Sequence, residues 1–293
     1  MHIKNLRMKE LRKLRELYLE PGVLNTEAYM LVLRRKHSFD KKERVFKYLD
    51  MQEDKDIMAK KLYTVTTLDT MDEYKEMEDL IIPDYIVYVE GDIAGFASPL
   101  VYNHKNLGVL INNPDIPLSI KIPYLKQMGD IIDKVERLDS KFQFGDLNEF
   151  NFIIDMEDKV KAIDLDSAYL GVGEPLDMAY YLLKNKYVKS LPDKYKSTNS
   201  GIIIPTDNTD LYCYNMIILN ALSKERLYRT DIDTFYKYLS YIKGLHLPDD
   251  LLQSLNNIYI PKDNFNPKDC LFDIDTELEK ELEFDTFKKL IKK

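Results

Sequence analysis

Asp146, Asn151 and Asp164 stand five and thirteen positions apart in one stretch, residues 144–166, which begins Phe144-Gly145-Asp146 and ends Asp164-Leu165-Asp166. A carboxylate, a side-chain amide and a second carboxylate are the groups that phosphoryl transfer from a nucleoside triphosphate requires. One carboxylate accepts the proton of an acceptor hydroxyl. The amide oxygen and the other carboxylate hold Mg²⁺ against the phosphates. Between Asn151 and Asp164 lie a short apolar run, a polar turn and a second apolar run, a pattern that predicts a β-hairpin. The expected layout is a loop carrying Asp146 and Asn151, a hairpin, and Asp164 where the second strand ends. Taken alone, Gly145-Asp146-Leu147-Asn148 is an ordinary turn, and Asp pairs are common in so acidic a chain. The two spacings together, each in suitable local structure, carry the chemistry.

The elements that must position these residues fall into two groups. Residues 28–33 and 44–49 read as strands around the polar turn 34–43, and 84–90 and 93–101 as strands joined at Glu90-Gly91-Asp92. Residues 55–68 read as a helix. Leu6, Leu11, Leu14 and Leu17 place a short amphipathic helix at 4–17. The first hundred residues are therefore expected to be mainly a small antiparallel sheet plus one helix. After Asn103 the period changes. Leu125, Met128, Ile131, Ile132, Val135 and Leu138 recur at helical spacing and lead directly into the loop with Asp146. Residues 207–222, 231–243 and 277–292 are further helices. On its strand Lys47 shares a face with Val45 and Leu49, so it is either an exposed edge residue or a buried functional cation.

Bulk properties exclude several classes. The 293 residues, 45% hydrophobic and 31% charged, suit a globular chain large enough for two lobes. A net charge of −8 argues against a broad nucleic-acid surface. No stretch approaches the ~20 apolar residues of a membrane-spanning helix, and the N-terminus lacks the apolar core of a secretory signal. No membrane partner is expected, and a cytoplasmic location is the default. Cys213 and Cys270 are too few and too far apart for a disulfide framework or zinc site. His2, His37, His104 and His246 show no ligand spacing and read as surface or loop residues. The Tyr residues near 212–214 and 236–241 read as core.

Gly145-Asp146-Leu147-Asn148-Glu149-Phe150-Asn151 resembles the catalytic loop H-[RG]-D-x-x-x-x-N of the protein-kinase-like superfamily, which includes protein kinases and aminoglycoside or choline phosphotransferases. Ile163-Asp164-Leu165-Asp166 resembles its metal-binding turn. The resemblance implies an α+β, two-lobed protein-kinase-like fold: a small antiparallel β-sheet lobe over residues 1–101 and a larger, mainly helical lobe over 102–293. It implies Mg²⁺ and ATP as cofactors. Asp146 would orient or deprotonate the acceptor, Asn151 and Asp164 would hold the metal, and Lys47 would pair with the phosphates. Backbone groups around Ser98, Leu100 and Val101 would meet the adenine at the hinge. Asp166 adds charge near the metal without an assigned role. Thr209-Asp210 resembles the start of the helix whose Asp holds the catalytic-loop backbone, and residues 184–208 resemble an activation segment. Gly173 to Asp177 resembles a segment of the aminoglycoside enzymes.

The pattern is departed from at four points. Phe144 replaces the loop His, a packing position, and Asn148 stands where protein kinases carry a phosphate-contacting Lys. Residues 20–26 hold a single Gly where a glycine-rich loop is expected. The helix after Lys47 has no Glu within 56–68, although Glu53, Glu73 and Glu76 flank it. The acceptor implied is a protein Ser/Thr hydroxyl, on the strength of the activation-like segment and Asp210. Gly145, Asn148 and the glycine-poor loop favour a small-molecule hydroxyl instead. A catalytically silent scaffold on the same fold is the reading of a different class.

Overall fold

Strand residues Ile86 to Val89 send side chains alternately to the two faces of a sheet, and both faces are covered. Ile86 and Tyr88 pack with Phe96 and Val65, whereas Val87 and Val89 pack with Leu6, Leu31 and Phe46. In the computed structural model, residues 1–16, 28–34, 41–49, 55–138, 142–171, 209–247, 249, 252, 267–271 and 274–291 are described. They form two compact units, one of residues 1–106 and 153–167, the other of 107–152 and 168–293.

The first unit is built on a six-stranded sheet. Its strands are β1 (His2–Leu6), β2 (Arg15–Glu16), β3 (Ala28–Arg34), β4 (Lys41–Tyr48), β5 (Tyr85–Val89) and β6 (Asp92–Pro99), in the order β1-β5-β6-β4-β3-β2. All neighbouring pairs but one are antiparallel; β1 runs parallel to β5 at one edge. The helix expected at 4–17 is thus replaced by β1, the single-turn α1 (Met8–Leu11) and β2. Three residues of its apolar stripe, Leu6, Leu11 and Leu14, join one core cluster, and Leu17 lies outside the described residues. Helix α2 (Lys55–Thr70) buries Lys61, Thr64, Val65 and Leu68, the i, i+3, i+4, i+7 stripe of one helix face, and Val65 packs with Ile86 and Phe96. The short α3 (Asp72–Lys75) follows it.

A three-stranded sheet in the order β10-β9-β7 supports the end of the hairpin. Its strands are β7 (Lys105–Asn106), β9 (Phe152–Ile154) and β10 (Val160–Ala162). The hairpin turn is set by Asp155, whose carboxylate accepts the N–H groups of Glu157 and Lys159 at 2.8 and 3.0 Å. Ala162 is pinned from outside the hairpin. Its N–H donates to the Asp79 carbonyl at 2.8 Å, and its carbonyl accepts from Ile81 N–H at 2.9 Å. That fixes the backbone two residues before Asp164.

Gly95 is the one position in β6 that tolerates no side chain. Its φ is +145°, and a Cβ there would lie 2.0 Å from the Lys47 carbonyl oxygen. Gly95→Ala is expected to destabilise this unit by about 1–3 kcal/mol by forcing β4 outward at Lys47. Urea denaturation checks this; an unchanged midpoint would contradict the close approach.

The second unit is mainly helical. It contains α4 (Leu107–Asn112), α5 (Leu118–Leu138), α6 (Thr209–Ser223), α7 (Ile232–Lys243), and the C-terminal α8 (Thr276–Leu282) and α9 (Phe284–Ile291). The expected 277–292 helix is therefore two, with Glu283 extended between them. A two-stranded pair, β8 (Phe142–Gln143) with β11 (Tyr169–Leu170), flanks the Asp146 loop in sequence. Helix α6 is buried along almost its whole length, and Tyr214 donates its hydroxyl to the Leu125 carbonyl of α5 at 2.6 Å. Tyr212 and Tyr238 are core as expected. Tyr236, at 41% exposure, is not, because it lies off the buried face of α7. The glycine-loop segment 20–26, the Gly173–Asp177 segment and residues 184–208 lie outside the described residues.

Candidate active site

The period of two along β4 decides where Lys47 goes. Phe46 and Tyr48 pack in one core cluster, which leaves Lys47 on the opposite face. There its ammonium is ion-paired to the Asp164 carboxylate and donates to Asp166 Oδ1 at 3.0 Å. The second oxygen of Asp166 lies 3.6 Å from the Lys61 ammonium. Lys61 belongs to α2, which packs on the 3₁₀ turn Leu165–Ser167. Asp166 and Lys61 are 2% and 7% exposed, so one carboxylate and one cation of the cluster are nearly out of water, while Lys47 and Asp164 are half-buried. Asp164 adopts φ +62°, a left-handed conformation uncommon outside glycine and tolerated best by Asn and Asp. Such strain persists where surrounding contacts over-determine it, as the pinned Ala162 and the Lys47 pair do here.

The electrostatics follow from burial and charge. Burial opposes charge on Lys47, but Asp164 and Asp166 outweigh it and raise its pKa. Burial likewise opposes ionisation of Asp166, yet Lys47 and Lys61 together hold its carboxyl low, at about 2. Asp164 is pushed upward by burial and by the neighbouring Asp166 charge, with Lys47 working against both.

The Asp146 loop is organised within the second unit. Gly145, at φ +73°, turns the chain, and Asp146 N–H donates to the Phe144 carbonyl at 2.8 Å. Asn151 Nδ2 donates to the Asp146 carbonyl at 2.9 Å and to Asp146 Oδ2 at 3.2 Å. Asn148 is spent inside the loop. Its Oδ1 accepts Phe150 N–H at 2.9 Å, and its Nδ2 donates to the Asp146 carbonyl at 3.2 Å. It therefore caps the 3₁₀ turn Glu149–Asn151. Glu149 is buried beside it and accepts from Asn112 Nδ2 at 2.9 Å; burial pushes its carboxyl up. Phe144 packs its ring against Phe142 and Phe152 at 5.1 and 5.9 Å, a packing role.

Asp210, in the first turn of α6, accepts the Phe144 N–H at 2.8 Å and so ties that helix to the start of the loop. Burial pushes its carboxyl up to about 7; the Phe144 bond works against this and Glu136 adds to it. A raised carboxyl pKa means that the folded state holds the proton more tightly than the unfolded chain does. The corresponding stability is fully present below about pH 4 and lost as pH rises through about 7. Asp210→Asn keeps an acceptor for Phe144 and removes the charge. From pH 4 to 8 the variant should therefore gain stability relative to the parent, with a ceiling of about 4 kcal/mol. Urea midpoints of both proteins against pH check this; parallel curves would contradict it.

The residues expected at the hinge sit at the end of β6. Ser98 pairs with Val45 in the ladder, Leu100 N–H donates to the Glu43 carbonyl at 3.4 Å, and the Val101 carbonyl lies 2.8 Å from His104 Nδ1. Sequence reasoning missed Lys61 and gave Asp166 no role. The available signal was the 61, 64, 65, 68 stripe of α2, in which one buried position is a lysine. Among the described residues, no group of three or more His, Cys, Asp or Glu could hold a metal by itself, and no helix is long and apolar enough to cross a membrane. Compared with family models and with curated proteins, the chain matches none.

Proposed function

We propose that the protein is an ATP- and Mg²⁺-dependent phosphotransferase of the two-lobed kinase-like kind, acting on a hydroxyl acceptor. The observation that carries this reading is the ion pair between Lys47 and Asp164, residues 117 positions apart to which the resemblance gives the roles of phosphate-binding cation and metal-holding carboxylate. Each donor, taken within its own unit, is of a type that suits the ion. Asp164 offers carboxylate oxygen, and Asn151 offers amide oxygen because its nitrogen is engaged by Asp146. Mg²⁺ prefers such hard oxygen ligands, usually one or two from protein with the rest from phosphate and water. The bound metal would neutralise charge on the phosphates. In this reading Lys47 pairs with the phosphates and Asp146 takes or orients the acceptor proton.

A protein Ser/Thr hydroxyl is the acceptor we favour, since Asp210 anchors the loop backbone in the manner expected of protein kinases. A small-molecule acceptor is the second reading. The observation favouring it is Asn148, which is turned into its own loop and so cannot contact the transferred phosphate as a lysine there would.

A ligand that binds only the folded state raises the melting temperature by mass action, by about 2.7 kcal/mol of stability at a hundred times its dissociation constant. ATP with Mg²⁺ is expected to stabilise the protein, and Lys47→Met and Asp164→Asn to remove most of that shift. No shift at any nucleotide concentration would contradict the reading. A shift with no turnover would support the silent scaffold.

A further inference from the structure

We propose that Asp166 is the residue that positions Lys47, and that Lys61 of α2 holds Asp166 in place for that purpose. The proposal rests on the phosphotransferase reading above. A phosphate-binding lysine needs a fixed carboxylate beside it, because a flexible four-carbon stem does not aim its own ammonium. The expected source was a glutamate on the helix after the Lys47 strand, and none exists within 56–68. Instead the helix contributes a cation. Lys61 occupies the first position of the buried stripe of α2 and is 7% exposed. The carboxylate comes from the far end of the hairpin: Asp166, 2% exposed, gives one oxygen to Lys47 at 3.0 Å and the other to Lys61 at 3.6 Å. A carboxylate so buried has to be charge-compensated, and Lys47 alone cannot do this while also serving phosphate. Lys61 supplies the compensation. Asp164 is the only other carboxylate paired to Lys47 among the described residues, and it is the one needed for metal. Asp166 is thus left to keep Lys47 aimed when Asp164 turns to the ion. The lysine–helix contact that the resemblance implies has its signs redistributed: the anion sits on the 3₁₀ turn after the hairpin and a second cation on the helix.

The test uses the full chain and three proteins besides the parent: Asp166→Asn, Lys61→Met, and the double variant Asp166→Asn/Lys61→Glu, which returns a carboxylate to the helix. Two quantities are read. One is the KM for Mg-ATP alongside kcat. The other is the rate at which an amine-reactive ester labels Lys47 in nucleotide-free protein, followed by peptide mass spectrometry. Asp166→Asn is expected to raise KM for ATP by about tenfold or more, with a smaller change in kcat, and to speed labelling of Lys47. Lys61→Met, which retains Asp166, should shift both in the same direction by less. The double variant should recover most of the KM. Unchanged KM and unchanged labelling in Asp166→Asn, with Lys47 of the parent protected by Mg-ATP, would overturn the role of Asp166 alone. Parent Lys47 that Mg-ATP fails to protect would instead remove the phosphotransferase reading and the proposal with it.

Discussion

Asp146→Asn should lower the rate of phosphoryl transfer by about 10²- to 10⁴-fold at saturating ATP, the usual contribution of a positioned general base. The substitution is nearly isosteric and leaves the loop its internal bonds. Asn151 Nδ2 still finds the residue-146 carbonyl, now 2.9 Å away, and a side-chain oxygen near the 3.2 Å position of Oδ2. Phe144 remains tied to Asp210, and Asn148 still caps the following turn. Stability and nucleotide-induced stabilisation should therefore stay close to those of the parent, and the loss should appear in kcat. Single-turnover phosphoryl transfer beside a melting curve separates the two. Transfer within about threefold of the parent would mean that a carboxylate elsewhere serves as base, or that none is required.

Asp166→Ala should destabilise the first unit by about 3–5 kcal/mol, the cost of breaking a buried ion pair by removing one of its members. Lys61 has Asp166 as its ion-pair partner and is almost fully buried, while Lys47 retains Asp164 and is 27% exposed. Most of the loss should therefore trace to Lys61. Removing the Lys61 charge as well should return part of the stability, because a buried ammonium costs more once a carboxylate facing it at 3.6 Å is gone. Urea denaturation of Asp166→Ala, Lys61→Met and the double variant forms a cycle with a coupling of about 1–3 kcal/mol. Additive losses would show that the 3.6 Å contact carries no coupling.

The loop with Asp146 was more legible in the sequence than the cluster around Lys47. Asp146 and Asn151 are local, five residues apart, and their contact depends on a turn that Gly145 and Asn148 encode. The two-residue period of its strand left Lys47 as either an edge residue or a functional cation, and the resemblance chose between them, whereas α5 was legible from its stripe. Two features were not legible, for two reasons. The leucine spacing of residues 4–17 predicts a helix, but the conformation of His2–Leu6 is set by parallel pairing with Tyr85–Val89, which local pattern does not report. Lys61 was passed over because an anion was sought on that helix. The anion, Asp166, lies 105 positions further along the chain, and only tertiary packing brings the two together.

Transfer of the γ-phosphate tests the central claim most directly. The protein would be incubated with γ-labelled ATP and Mg²⁺, with and without a mixed protein substrate, beside Asp146→Asn and Asp164→Asn. The parent should consume ATP and move label to an acceptor, and both variants should lose this activity while remaining folded. No ATP consumption by the folded parent, or equal consumption by all three proteins, would contradict it.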